Sequence, residues 1–171
     1  LSGGNVDSGI ENSLYDYSTI LGYERQSDNA VSTFYTSCSQ QYPNNYVTAQ
    51  TNPAEMPWMA WYALAKGFDG YLRWAYDYWT QSDPTSAQDG SNASGDFNMI
   101  YRSENTAAAV PISSIRLELL REGIQDYEKA RILNNGQLDA AIRNFTSASG
   151  REAAKWVGIA EGTLKELSAN D

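Results

Sequence analysis

The residues best suited to chemistry lie in the stretch 66–79, which is rich in aromatic side chains and carboxylates. A glycine-containing turn begins the stretch, and the run that follows it to Trp79 predicts a short buried strand. Because side chains alternate between the faces of a strand, Trp74 and Tyr76 share one face. Aromatic faces beside a carboxylate such as Asp77 suit sugars, since a pyranose offers an apolar C–H face and a ring of hydroxyl groups. On this stretch alone, an edge strand whose aromatic residues fill a core is the open alternative.

Several common kinds of active site are excluded by composition. The sequence contains no His and a single Cys, Cys38. It therefore forms no internal disulfide, no Cys/His metal site and no nucleophile activated by His. If this chain takes part in catalysis, its acids and bases are carboxylates and tyrosines. We predict neither a metal ion nor a cofactor.

Length and charge limit the class of protein further. The 171 residues suffice for one domain with a sizeable core, and 42% of them are hydrophobic. The formal net charge of −9 argues against a nucleic-acid or anionic-membrane surface. No run reaches the roughly 18 apolar residues of a membrane span. The first residue, Leu1, is not Met, which predicts a chain that starts inside something longer.

The elements that must position the candidate residues alternate between strand and helix. The sequence predicts a helical segment within 1–29, strands at 30–36, 70–79 and 96–101, helices beginning at 53 and 115, and helices at 137–145 and 150–167. Alternation without a tight hairpin signal predicts parallel βαβ units. About three parallel strands form a poor complete domain, because a parallel sheet needs cover on both faces. The predicted fold class is therefore α/β, the C-terminal part of a (β/α)8 TIM-like barrel followed by C-terminal helices. In such barrels ligands bind at the carboxyl ends of the strands.

Two predicted helices carry clear capping and packing signals. Asn52 is the predicted N-cap of the first, and its Trp58, Trp61 and Tyr62 are expected in the core rather than in a site. The second follows a Ser N-cap at 113–114 and stops at 134–136. Its predicted buried stripe consists of Ile115, Leu119, Leu120, Ile124 and Tyr127. Gly123 within it predicts a close helix–strand contact, because Gly otherwise lowers helix stability.

Five segments occur in the order of one known family. They are 33–38, 52–55, 67–75, 95–96 and 113–129, the last of which reads SSIRLELLREGIQDYEK. On these motifs the chain resembles the C-terminal part of the catalytic domain of glycoside hydrolase family 123 and its relatives, also labelled domain of unknown function 4091. The resemblance covers roughly residues 30–133.

The resemblance implies a fold and an activity. It implies a (β/α)8 barrel whose last three β/α units are residues 30–133, with 1–29 as a helical lead-in and 134–171 as peripheral helices of one partial domain. It also implies a β-N-acetylgalactosaminidase-like reaction in which the 2-acetamido group of the substrate is the nucleophile. In that family an adjacent Asp-Glu pair on an earlier strand orients the acetamide and acts as general acid/base. This sequence contains no adjacent Asp and Glu, so the pair is expected upstream and the chain alone is not expected to turn over a substrate.

The predicted site is a sugar-binding one, with no catalytic residue in this chain. Trp74 and Tyr76 form the predicted stacking platform, and Tyr35 at the neighbouring strand end is the predicted hydroxyl partner. Predicted rim contacts are Asp77, Trp79 and Asp96.

Five charged residues of the longest motif are interpreted as structural. Arg116, Glu118, Arg121, Glu122 and Asp126 lie on one predicted helix behind the last strand. Such helices usually lock a barrel closed through ion pairs.

Three interpretations stay open on the sequence. The chain is part of a glycoside hydrolase, or a carbohydrate-binding relative that does not catalyse, or a half-barrel that pairs with a second copy to bury its sheet edges. The expected partners are a glycan and either the remainder of the barrel or that second copy, with no nucleic acid and no membrane span. The family implies an extracellular, periplasmic or cell-surface location.

Overall fold

The fold is a mixed arrangement of short strands and longer helices. A computed structural model describes residues 31–36, 43, 51–72, 76–77, 98–102 and 110–169. In chain order the elements are β1 (Thr33–Tyr35), α1 (Glu55–Lys66), β2 (Gly70–Leu72), β3 (Ile100–Tyr101), β4 (Ile112–Ser113), α2 (Ile115–Leu133), α3 (Asp139–Ile142), a 3-10 helix (Ser147–Glu152) and α4 (Ala153–Ser168). Within these ranges no helix is long and apolar enough to cross a membrane.

A βαβ unit forms the first half of the described structure. β1 and β2 pair in parallel, with Thr33 opposite Gly70, and α1 connects them. Asp69 holds the start of the pair, because its N–H donates to the Ser32 carbonyl and its Oδ2 accepts from the Ser32 N–H, both at 2.7 Å. The turn before it uses Gly67 at φ 75°, a conformation that favours glycine. The predicted parallel unit is confirmed for these two strands.

The third predicted strand is shorter and pairs differently. β3 pairs antiparallel with β4, with Ile100 opposite Ser113, so the prediction of three parallel strands is wrong for the described pairs. Pro111 restricts Val110 to extended conformations, which lets the chain return as a strand before α2 begins. The described strands make two two-stranded sheets; the α/β class is confirmed, and the closed barrel stays a prediction.

Helix α1 begins slightly later than the sequence predicts. The Asn52 side-chain oxygen accepts from the Ala54 N–H at 3.0 Å, and the Asn52 carbonyl accepts from the Glu55 N–H. Residues 52–54 therefore form a hydrogen-bonded turn ahead of the helix. From Glu55 to Ala63 every side chain of α1 is buried. The prediction that the tryptophans of this helix belong to the core is confirmed.

Helix α2 has the predicted ends but not the predicted buried face. Ser114 is the N-cap, and its Oγ accepts from the Leu117 N–H at 3.2 Å. Ile115 and Ile124, which the stripe placed inside, are 66% and 51% exposed. The residues of α2 that are buried are Gly123, Asp126 and Ala130. The stripe is wrong at these two positions, because α2 lies against α1 through its small side chains; Leu119, Leu120 and Tyr127 are half-buried. The close contact predicted for Gly123 is therefore with a helix and not with a strand.

The C-terminal helices contribute to the same core as α1. Leu138, Phe145, Val157, Ala160 and Leu164 all belong to the buried cluster that contains Trp58 and Tyr62. The predicted peripheral position of 134–171 does not account for these side chains. The apolar positions of α4 recur at three- and four-residue spacing within an otherwise polar sequence, which places one face against the core.

One face of the parallel strand pair carries exposed apolar side chains. Phe34 is fully buried and packs on Tyr62, whereas Val31 is 76% exposed and Leu72 is 56% exposed. Val31 lies an odd number of residues before Phe34, so in an extended chain it faces the opposite way. Leu72 is the register partner of the residue after Phe34 and therefore also faces away from Phe34. A parallel sheet normally has both faces covered. The face opposite α1 is therefore the side on which further structure fits.

Candidate functional site

The predicted site residues fall partly within the described structure. Trp74, Trp79 and Asp96 lie outside the described residues. Tyr35 ends β1 and pairs in register with Leu72 of β2. Tyr76 and Asp77 are both exposed and come after β2 has ended, so the predicted strand does not continue to them.

The backbone of Tyr76 anchors this segment to the start of β3. Its carbonyl oxygen accepts hydrogen bonds from the Met99 N–H at 2.9 Å and from the Ile100 N–H at 3.2 Å. The chain beyond β2 and the chain entering β3 are therefore neighbours. Tyr76 presents an exposed aromatic ring, and Asp77 an exposed carboxylate, beside this junction.

The first turn of α2 contacts the same junction. The Ser114 N–H donates to the Met99 carbonyl at 3.1 Å. The Arg116 Nη1 donates to the Asn98 carbonyl at 3.4 Å. We call Tyr76, Asp77, Asn98, Met99, Ser114 and Arg116 the strand-end corner. It combines an aromatic ring, a carboxylate, an amide and a guanidinium group, which together can stack on a sugar and exchange hydrogen bonds with its hydroxyl groups.

Four members of the corner are not among the predicted site residues, and two of them, Arg116 and Asn98, carry polar side chains that can bind a ligand. The charge-rich motif predicts a structural role for Arg116, and the sequence predicts no role for Asn98. A signal for Arg116 exists, because a cation in the first turn of a helix opposes the helix dipole at a cost of about 0.3–1 kcal/mol. A signal for Asn98 exists too, since an amide between Phe97 and Met99 interrupts an apolar run. Neither signal identifies a ligand without the contacts that the structure supplies.

A second polar position lies where β1 ends and α1 begins. Thr36, directly after β1, is fully buried, and its hydroxyl shares a 2.8 Å hydrogen bond with the Tyr71 hydroxyl. Glu55 is buried in the first turn of α1, where the helix dipole favours a carboxylate. Because α1 connects two parallel strands, its first turn lies at their carboxyl ends. These groups therefore lie at the carboxyl edge of the two-stranded parallel sheet.

The remaining charges of the long motif lie along α2. Glu118 forms an ion pair with Arg121 and a short hydrogen bond with Ser113. These contacts fit the structural interpretation of Glu118 and Arg121. Asp126 is only 8% exposed and lies about 15 Å along the helix from Arg116. It therefore belongs to the packing of α2 and not to the strand-end corner.

The pKa values of two carboxyl groups are raised where α2 packs against α4. Burial raises the pKa of Asp126; Lys129 opposes that shift and Glu122 adds to it. Burial also raises the pKa of Glu161, and the charges of Asp126 and Glu122 raise it further. Burial favours the neutral form of a carboxyl group, and so does a neighbouring carboxylate. The packing of α4 on α2 is therefore more stable when these groups are protonated.

A pH-dependent stability follows from these raised pKa values. Their contribution is fully present below the ordinary carboxyl values of about 4 and is lost as the pH rises through the raised values. We expect Asp126→Asn to reduce this loss, and Asp126→Asn with Glu161→Gln to reduce it further, in urea unfolding of the full-length protein at about pH 4.5 and 7.5. A constant difference between Asp126→Asn and wild type across that range would contradict the assignment.

A cleft of about 240 Å³ lies between α1, β2 and α2. It is at the amino end of β2, beside Asp69 and Gly70, and so lies away from the strand-end corner. Its lining is mostly apolar and includes Ala60, Leu120 and Ile124. Among the residues that the structure describes, no three His, Cys, Asp or Glu side chains are grouped to hold a metal ion.

A structural neighbour shares this fold. A solved structure of a family 123 glycoside hydrolase from Clostridium perfringens, described for the hydrolysis of glycolipid glycans, matches with a TM-score of 0.64 at 20% sequence identity. The match covers 82% of this chain and 28% of that chain, so this chain spans less than a third of its length. At this identity the likeness is one of fold.

A family comparison identifies the relationship. The model of the family described as glycoside hydrolase 123, catalytic domain, matches residues 8–133. The match ends where α2 ends and begins well before residue 30, so it includes most of the predicted helical lead-in. The comparison with curated proteins gave no match. Because the family model covers most of the sequence, the chain belongs to the glycoside hydrolase 123 catalytic-domain family.

Proposed function

We propose that this chain supplies the C-terminal part of a (β/α)8 barrel that hydrolyses β-linked N-acetylhexosamine, of the N-acetylgalactosamine type, in glycans. The observation that carries the proposal is the strand-end corner. Beyond the end of β2, the Tyr76 carbonyl bonds to Met99 and Ile100, and the Asn98 and Met99 carbonyls bond to Arg116 and Ser114 at the start of α2. A β/α barrel binds its substrate at this end of its strands. Family membership supplies the reaction class.

In the proposed reaction this chain binds and orients the sugar. The acetamido oxygen of the substrate attacks the anomeric carbon and displaces the leaving alcohol, with retention after water opens the cyclic intermediate. An Asp-Glu pair in the remainder of the barrel orients the acetamide and transfers the proton. Tyr76 offers a stacking face, and Asp77 accepts hydrogen bonds from hydroxyl groups. We expect Trp74 to stack on the sugar as well, Tyr35 to bond to a hydroxyl group, and Trp79 and Asp96 to make rim contacts.

The exposed sheet face supports a further barrel around this part. Val31 and Leu72 are apolar and exposed on the side that a closed barrel turns inward. We propose that the remaining strands of the barrel cover it. A second copy of the chain would cover it equally, which favours the half-barrel as the second candidate. A dimer of the isolated 171-residue chain in light scattering would support that candidate, and a monomer would reject it.

The activity is tested best on the full-length protein. We expect release of nitrophenol from p-nitrophenyl N-acetyl-β-galactosaminide but not from p-nitrophenyl β-galactoside, because the latter lacks the acetamido nucleophile. Replacing the expected Glu of the upstream pair by Gln should lower the rate by about 10²–10⁴-fold, as loss of a general acid does. The isolated chain should give no turnover.

The results that would contradict the proposed hydrolysis can be distinguished from one another. Equal rates on the two nitrophenyl substrates would reject substrate assistance. Saturable binding of N-acetylgalactosamine without turnover would favour the non-catalytic carbohydrate-binding alternative. Action on glycans also leads us to propose an extracellular, periplasmic or cell-surface location, which fractionation of cells producing the full-length protein would test.

A further inference from the structure

Arg116 occupies a position that helix stability does not explain. It is the second residue of α2, and a positive charge there opposes the partial positive charge of the helix N-terminus. Glu118 is the acidic residue of that first turn, but its carboxylate contacts Arg121 and Ser113 instead. Within the described residues, Arg116 forms no ion pair. A cation kept at this place without a protein partner points to an external one.

The hydrogen-bonding capacity of Arg116 is largely unused. A guanidinium group carries five N–H donors in a planar fork. The described structure gives Arg116 one contact, the 3.4 Å hydrogen bond from Nη1 to the Asn98 carbonyl, which is long for an N–H donor. The side chain is half-buried, so this bond fixes its position while most of its donors stay available.

Asn98 adds an unused acceptor at the same place. Its side chain is only 6% exposed, and its Oδ1 has no hydrogen-bond partner among the described residues. A buried acceptor without a donor is unfavourable, because it has lost water and gained nothing. The strand-end corner therefore has spare donors on Arg116 and a spare acceptor on Asn98, and the backbone of Tyr76 bonds to Met99, the residue after Asn98.

We propose that Arg116 and Asn98 form a subsite for a carboxylate-bearing sugar, a uronic acid, adjoining the hydrolysed N-acetylhexosamine. The inference rests on the proposed function and deepens it by naming the substrate class. The planar fork of Arg116 matches a carboxylate with two parallel, charge-assisted hydrogen bonds, which are stronger than those that the hydroxyl groups of a neutral sugar accept. A hydroxyl group of the same ring supplies the donor that Asn98 lacks. Asp77, exposed to water and therefore screened, accepts from another hydroxyl group.

The test compares two ligands with the full-length protein. The probes are the disaccharide of β-linked N-acetylgalactosamine and glucuronic acid, and the matched disaccharide with glucose in place of the acid. Every protein in this test also carries the Glu→Gln replacement of the expected upstream pair, so that neither disaccharide is cleaved, and wild type here means unchanged at Arg116. In isothermal titration calorimetry at low salt we expect wild type to bind the acidic disaccharide about tenfold more tightly, as a charge-assisted bidentate contact should. Arg116→Gln should abolish the preference, because it should weaken binding of the acidic disaccharide about tenfold more than binding of the neutral one.

Arg131→Gln is the matched control. It removes the same charge from the same helix about 22 Å away, well beyond the Debye length of about 8 Å, and so should keep the preference. Thermal unfolding adds a readout that separates binding from structure. Arg116→Gln should leave the melting temperature unchanged or raise it, because the residue opposes the helix dipole.

Three results would overturn the inference. If wild type binds both disaccharides equally, the acidic subsite does not exist while the proposed function stands. If Arg116→Gln weakens both ligands alike and lowers the melting temperature, Arg116 pairs with a carboxylate of the remaining protein. If wild type binds neither disaccharide, and the protein with its upstream Glu intact releases no nitrophenol, the proposed function fails together with the subsite.

Discussion

Trp58→Ala is expected to lower the free energy of unfolding by about 3–5 kcal/mol, the range for removing a large aromatic side chain from a core. Trp58 is fully buried and stacks on Tyr62, with ring centroids 4.8 Å apart. Its Nε1 donates to the Ser149 Oγ at 3.0 Å, across 91 residues of sequence. It also contacts Phe145. The substitution therefore removes an aromatic stack, a hydrogen bond and the contact between α1 and the C-terminal segment together.

Two further variants help to interpret this loss: Ser149→Ala removes the acceptor of the Trp58 hydrogen bond, and Trp156→Ala is a comparison at a less buried tryptophan. Ser149→Ala leaves the indole N–H buried without an acceptor, which should cost about 1–3 kcal/mol. Trp156→Ala removes the same side chain from a half-buried position on α4 and should cost much less than Trp58→Ala. Urea unfolding of the full-length protein measures all three. Equal losses for Trp58→Ala and Trp156→Ala would show that the contact between α1 and the C-terminal segment does not stabilise the fold.

Local signals in the sequence predicted much of the fold. The N-cap at Ser114 and the end of α2 before Asn135 follow from residue chemistry that acts within one helical turn, and the structure confirms both. The parallel pairing of β1 with β2 also followed, because a helix-length connection between two strands permits little else. The antiparallel pairing of β3 with β4 could not be predicted, because the choice of β2 or β4 as the partner strand depends on contacts that no local pattern encodes.

The buried face of α2 shows why amphipathic pattern alone was insufficient. The pattern selected the large apolar residues, yet Ile115 and Ile124 are exposed, and Gly123 and Ala130 are buried. When two helices approach closely, small residues form the contact and large ones are displaced to its margin. The sequence of α2 does not show which helix packs against it. It therefore cannot show which of its apolar side chains are buried and which are exposed.

In the candidate site, too, the local pattern predicts one residue, Tyr76, and not another, Arg116. Aromatic composition and strand alternation led to Tyr76, and the structure places its exposed ring beside β3. The motif that contains Arg116 predicts a structural role for it, because the motif is rich in charges that pair along a helix. Its contact with Asn98 joins positions 18 residues apart, and that juxtaposition depends on β3 and α2 meeting at one junction.

Gly123→Ala is expected to destabilise the protein by about 1–3 kcal/mol, as overpacking of a close contact does. A Cβ atom at this position would lie 2.7 Å from the Pro57 Cα, 3.1 Å from the Pro57 carbonyl oxygen and 3.2 Å from the Ala60 Cβ. These are backbone and short side-chain atoms of α1, which cannot rotate away. Alanine gains up to about 1 kcal/mol of helix propensity over glycine, and the clash must exceed that gain.

The α4 glycines provide the control that makes this result decisive. Gly158 and Gly162 are exposed in α4, and a Cβ at either would meet nothing within 4 Å. Gly158→Ala should therefore stabilise the protein by about 0.5–1 kcal/mol, through helix propensity alone. Opposite signs for Gly123→Ala and Gly158→Ala in urea unfolding would establish that α2 and α1 are held at the distance that only glycine permits. If both substitutions stabilise the protein, the two helices are farther apart in solution than the structure places them.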